Sequence, residues 1–191
     1  MTSPTHIAAG ALVASAVALW SERWRKGSRL RVALALAAAA LLAVVVHFLM
    51  DLAPHYNWVA NNSLFAGYAS GWYYREGAAL LPTAALLLIL GGRRFWWVLL
   101  GIVVGLYPDI EKLAYLALHI PAQFVIFEWH SQALSSHDFG LSKPLLTAFD
   151  IAVLATCLAG VWRLNRRSTW RDDGLESGEQ NSPRMNTDGH G

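Results

Sequence analysis

Residues able to hold a metal ion recur at the ends of apolar segments: His6, His47, Asp51, His55, Asp109, His130 and His137. The densest run is His47-Phe-Leu-Met-Asp51-Leu-Ala-Pro-His55, where candidate ligands return every four residues. On a helix, His47 and Asp51 stand one turn apart and face the same way, so together they offer one ion a nitrogen and an oxygen. Pro54 disfavours helix at Ala53 and lacks an N–H, which places His55 just past a kink. A mixed imidazole and carboxylate set suits zinc, with manganese or iron as the other candidates, better than calcium or copper(I).

Each of these residues also has a plainer use. His47 can hydrogen-bond a neighbouring helix, and Asp51 can cap a helix interface. His55, His130 and His137 can be solvated at a surface, as can His6 in a first turn. Ionisable groups within an apolar span are costly, however, and that cost favours a functional reading. Tyr107-Pro108-Asp109-Ile110-Glu111 reads as a helix break presenting two carboxylates, with Glu111 as the candidate general base. Asp150 enters an apolar segment and has three readings: a pair with Lys143, a hydrogen bond across helices, or support for the ligands. His119 lies on an apolar stretch away from the others and His190 in a polar tail, and neither is assigned a role.

The elements that must position these groups are apolar blocks. The chain has 191 residues, 55% of them hydrophobic and 15% charged, against roughly a quarter charged in soluble domains. This composition points to an all-α, polytopic membrane helix bundle. A crossing needs about 20 residues. Five segments approach that length: 4–21, 30–50, 77–90, 95–108 and 144–162. Ser3 followed by Pro4 gives the first a helix start, with Ser3 as the cap. The segment from Leu113 to Phe127 contains His119, Pro121 and Gln123 and reads as a re-entrant or interfacial helix. Gly101-x-x-x-Gly105 is a close-packing motif, not a chemical one.

Five crossings gather twelve of the fifteen basic residues on one side, leaving Arg75, Lys112 and Lys143 opposite. The positive-inside rule makes the crowded side cytoplasmic, with the N-terminus outside and the C-terminus inside. Every candidate ligand then falls at the outer face. Trp20, Trp24, Trp72, Trp96, Trp97, Trp129 and Trp162 sit near the span ends, as an interfacial aromatic belt requires. Residues 1–167 form the transmembrane domain, and residues 168–191 read as a disordered cytoplasmic tail rich in polar residues. There is no cleavable signal pattern. The single Cys157 excludes an internal disulfide. No nucleic-acid motif is present, and the basic loops are explained by topology and anionic lipid.

The order Thr5-His6 with Ile-Ala-Ala-Gly10, then His47-x-x-x-Asp51-x-x-Pro54-His55, then Pro108-Asp109, then late histidines, resembles bacterial inner-membrane proteins described as membrane-bound metal-dependent hydrolases. The resemblance covers about residues 2–140. It implies a small multi-span protein with a His/Asp metal site and hydrolytic activity. Glu111 stands where members often carry Asp. Glu128-Trp-His130-Ser131 stands where they often carry a histidine motif ending in Thr-His-Ser.

The expectation is therefore a membrane-embedded metal-dependent hydrolase with its divalent ion at the extracytoplasmic face. Location alone suggests a lipid or phosphoester substrate. The alternative is a non-catalytic integral membrane protein with a structural ion or none. A transporter would need polar residues continuing down the helices, and below His47 the second span is almost wholly Ala, Leu and Val.

Overall fold

The computed structural model describes residues 2–22, 29–53, 72–118, 121, 126–127 and 140–179, apart from the side chains of 72–76, 112–118 and 167–179. These residues form α1 (Ser3–Glu22), α2 (Arg29–Leu52), α3 (Trp72–Gly91), α4 (Phe95–Leu118) and α5 (Lys143–Glu179), with a 3-10 turn at Gly92–Arg94 between α3 and α4. Four stretches are long and apolar enough to cross a membrane: Ser3–Glu22, Arg29–Leu52, Gly77–Glu111 and Lys143–Arg166. The third takes α3 and α4 together.

The α3–α4 stretch doubles back on itself. A side-chain carbon built at Gly91 would lie 3.0 Å from Val98, whereas seven residues of continuous helix advance about 10 Å. Gly92 makes the turn at φ 48°, a left-handed conformation that glycine adopts without a Cβ penalty.

The central helix is α1, packed by the other four. Its small residues (Ala8, Ala9, Gly10, Ala11, Ala14, Ser15 and Ala18) are all buried, and small side chains let helix backbones approach closely. The tightest approach joins α1 to α4. A side-chain carbon at Gly10 would collide with the Gly101 carbonyl, and one at Gly105 would lie 3.2 Å from the His6 carbonyl oxygen. The Gly101/Gly105 pair is thus a packing surface, as its spacing suggests, and it brings the first turns of α1 beside Asp109.

On α2, Ala35, Ala39, Ala43, His47 and Asp51 are buried, one turn apart in a single stripe. Leu34, Leu41, Leu42, Val45, Leu49 and Leu52 are exposed, as a lipid-facing surface would be. His47 and Asp51 extend the alanine stripe and therefore face the bundle interior.

Four sequence expectations shift. The first turn of α1 is capped one residue earlier than expected, by Thr2, whose carbonyl accepts from Thr5 and His6 at 3.0 and 3.2 Å. Pro108 does not end its helix. It lies buried within α4, where its missing N–H affects only the Val104 carbonyl and packing against α1 carries the helix on. Leu113–Leu118 accordingly continue α4 and begin no separate helix, while residues 119–120 and 122–125 lie outside the described residues. At the far end of the chain, α5 continues through Glu179 into the segment whose composition suggests a tail.

The end of the bundle remote from His6 is closed by Arg94. Its guanidinium donates to both Glu22 carboxylate oxygens at 2.9 and 2.6 Å, to the Leu164 carbonyl at 2.8 Å and to Asn165 Oδ1 at 3.1 Å. Asn165 donates in turn to the Leu90 carbonyl at 3.1 Å. Arg94 is one of the twelve basic residues that the sequence gathers on one side; it is buried and, through these bonds, joins α1, α3 and α5.

Candidate metal centre

At the opposite pole the start of α1, the end of α2 and the part of α4 just after Pro108 come together. α1 supplies His6 from its first turns, α2 supplies His47 and Asp51 from its last, and α4 supplies Asp109. His6, His47 and Asp51 are 2%, 1% and 5% exposed. Each offers one ligand atom, all within 4.8 Å of one another. Asp109 is the most open of the four, with a side chain 28% exposed.

Hydrogen bonds fix which nitrogen each imidazole presents. His47 Nδ1 lies 2.7 Å from the Gly105 carbonyl oxygen. A carbonyl only accepts, so Nδ1 carries the proton and Nε2 the lone pair of a neutral ring. His6 Nδ1 lies 3.3 Å from Asp109 Oδ2, which makes the same assignment for that ring. Both Nε2 atoms then converge on Asp51. His6 Nε2 is 3.2 Å from Oδ1 and His47 Nε2 is 3.2 Å from Oδ2.

With both rings neutral, these contacts set a lone pair against a carboxylate oxygen. His6 Nε2 is fully buried and has no hydrogen-bond partner among the described residues, the Asp51 oxygen lying out of line for one. A buried polar atom without a partner costs free energy, and a cation between the converging groups removes that cost. Two imidazoles and one carboxylate so placed could hold a metal ion.

Asp109 lies beside the other candidate ligands, within reach of both histidines. It faces the second nitrogen of His6, and its Oδ1 is 3.9 Å from His47 Nε2. A carboxylate that accepts from the N–H of a ligating histidine orients the ring and raises its basicity.

His55, His130 and His137 lie outside the described residues, as do His119 and His190. Glu111 is buried, and its carboxylate accepts from the backbone N–H groups of Ile126 at 2.6 Å and Phe127 at 2.8 Å and from the Tyr107 hydroxyl at 3.3 Å. A carboxylate so occupied is poorly placed to take a proton from water, the general-base role that the sequence suggests for it.

Asp150 takes the second of its three sequence readings, a hydrogen bond across helices. It accepts from Thr2 Oγ1 at 2.8 Å, Thr5 Oγ1 at 2.9 Å and the Thr2 N–H at 3.4 Å. These bonds pin the start of α1 to α5 beside His6. Nothing local in the sequence foretold them, since the partners lie 145 and 148 positions away.

Compared with protein-family models, curated proteins and solved structures, the chain matches none.

Proposed function

We propose that this chain is an integral membrane, metal-dependent hydrolase whose ion is held by His6, His47 and Asp51. The observation that carries the reading is the convergence of two imidazole Nε2 atoms on one carboxylate, each ring tied back through Nδ1. Three protein ligands and an open position characterise catalytic zinc sites, whereas structural sites are usually closed by four. Bound there, a zinc-class ion supplies Lewis acidity and an acidified water. The partial exposure of Asp109 gives that pole an opening.

In this reading the α3–α4 hairpin crosses the membrane twice, making five crossings. The His/Asp pole faces the extracytoplasmic side of a bacterial inner membrane, and the Arg94 pole faces the cytoplasm. Residues exposed near the Arg94 end include Arg29, Arg31, Arg93, Arg163 and Arg166, in keeping with the positive-inside rule. The motif order shared with membrane-bound metal-dependent hydrolases agrees with this assignment. A site at the membrane–water boundary favours a lipid or lipid-linked substrate, with a phosphoester as the bond cleaved.

The test is hydrolysis of phosphomonoester, phosphodiester and phospholipid panels by detergent-purified protein loaded with zinc, manganese or iron. Turnover that a chelator abolishes and Asp51→Ala lacks supports the hydrolase. A bound ion with no turnover on any panel favours a second reading, a structural ion stapling helix ends. The near-complete burial of His6, His47 and Asp51 speaks for that alternative.

A further inference from the structure

Glu111 spends its carboxylate on the peptide backbone. Each of its oxygens receives one N–H from consecutive residues, Ile126 and Phe127. Paired charge-assisted bonds of this kind fix geometry as well as adding energy. The turn they hold carries the Phe127 ring into contact with two others. Its centroid is 5.1 Å from Phe48, edge to face, and 6.2 Å from Tyr107. The Phe48 ring is in turn 5.5 Å from the His47 ring. Tyr107 and Glu111 are one turn apart on α4, and the tyrosine hydroxyl donates to the same carboxylate. The result is a wall of three aromatic rings along the α2–α4 side of the His/Asp group, seated by a single acid.

We infer that Glu111 is a positioning residue: it clamps the turn at Ile126–Phe127 so that Phe127, Phe48 and Tyr107 shield the ion site from water on the α2–α4 side. Glu111 itself touches no ligand atom. Its effect passes through Phe127, because without the clamp the two N–H groups lose their acceptor and the ring loses its seat. Water reaching the site from that side would enlarge the coordination shell of an ion held by three protein groups. The part of the inference that concerns the ion rests on the metal reading above, whereas the clamp itself does not.

The test uses full-length protein in detergent, wild type beside Glu111→Ala, Glu111→Gln and Phe127→Ala, with cobalt(II) as a coloured stand-in for zinc. Hydrogen exchange at the Ile126 and Phe127 amides should accelerate about tenfold or more in Glu111→Ala, since a bond to a charged acceptor is worth at least that much in the opening equilibrium. Glu111→Gln keeps one acceptor oxygen and should fall between. Cobalt should bind in equal amount to all four proteins. Its visible bands should weaken alike in Glu111→Ala and Phe127→Ala, as they do when water adds to a four-coordinate ion. Unchanged exchange in Glu111→Ala would overturn the clamp. Loss of cobalt, or unchanged bands in either alanine variant, would overturn the shielding. If wild type takes up no cobalt, the metal reading falls and the shielding with it, while the exchange result still decides the clamp.

Discussion

His47 donates through Nδ1 to the Gly105 carbonyl oxygen, 2.7 Å away on the neighbouring helix, and this bond sets which nitrogen faces Asp51. The contact depends on three features of the sequence. His47 continues an alanine stripe, which brings α2 in close. Gly105 has no side chain to intervene. Packing against α1 carries α4 past Pro108, so the backbone at 105–109 stays beside both histidines. His47→Gln places an amide nitrogen near the Gly105 carbonyl and should preserve the helix contact while removing the ligand. The expected outcome is a folded protein by circular dichroism with no bound ion.

Gly10 should be intolerant of any side chain. The added carbon of Gly10→Ala meets backbone, the Gly101 carbonyl, which cannot rotate away as a side chain would. Overpacking of this kind costs about 1–3 kcal/mol. Thermal unfolding in detergent should show that loss. Ion content should fall too, although no ligand has changed, because α1 carries His6.

Asp150→Ala should destabilise the fold by about 1–3 kcal/mol, the cost of leaving the buried hydroxyls of Thr2 and Thr5 without their acceptor. Asp150→Asn retains one acceptor oxygen and should cost less. The comparison is made by unfolding midpoint, with near-equal midpoints for the two variants counting against the assigned bonds.

At the other pole, Arg94→Met should cost about 1–3 kcal/mol, since it leaves the Leu164 carbonyl and the Asn165 side-chain oxygen without their donor. Glu22 is 42% exposed, so Glu22→Gln should cost about 1 kcal/mol or less. Unfolding of the two variants checks this asymmetry.

Much of the architecture was legible in the sequence. Apolar blocks placed the helices, the His47/Asp51 spacing placed two ligands on one face, and the arginine distribution put His6, His47, Asp51 and Asp109 at one pole. The errors came where tertiary contacts overrode local rules. Pro108 read as a helix end because its ring is a local obstacle, but α1 packs across it and the helix continues. Arg94 counted only as one of the basic residues on one side, because its partners Glu22, Leu164 and Asn165 are distant in sequence. Glu111 read as a free base for the same reason, since its backbone donors lie 15 and 16 residues on. The alanine stripe at 35, 39 and 43 was visible as spacing and would have shown which face of α2 turns inward.

Asp109→Asn separates ligand from supporting group. Asparagine can still accept from His6 Nδ1 through its oxygen, without the charge. If Asp109 only orients His6, the variant should bind zinc roughly 10–100-fold more weakly and still reach one ion per chain at high zinc. Competition against a chelator of known affinity measures this. Complete loss of binding would make Asp109 a ligand instead.

Metal content by elemental mass spectrometry, on wild-type protein and on His6→Ala, His47→Ala and Asp51→Ala, tests the central claim most directly. The expected result is near-stoichiometric zinc, manganese or iron in the wild type, absent from all three variants and declining in the wild type as the solution is acidified, because ligating imidazoles must be deprotonated. Wild-type protein that takes up no ion, even after incubation with each metal, would contradict the account and leave the four residues as polar packing between helix ends.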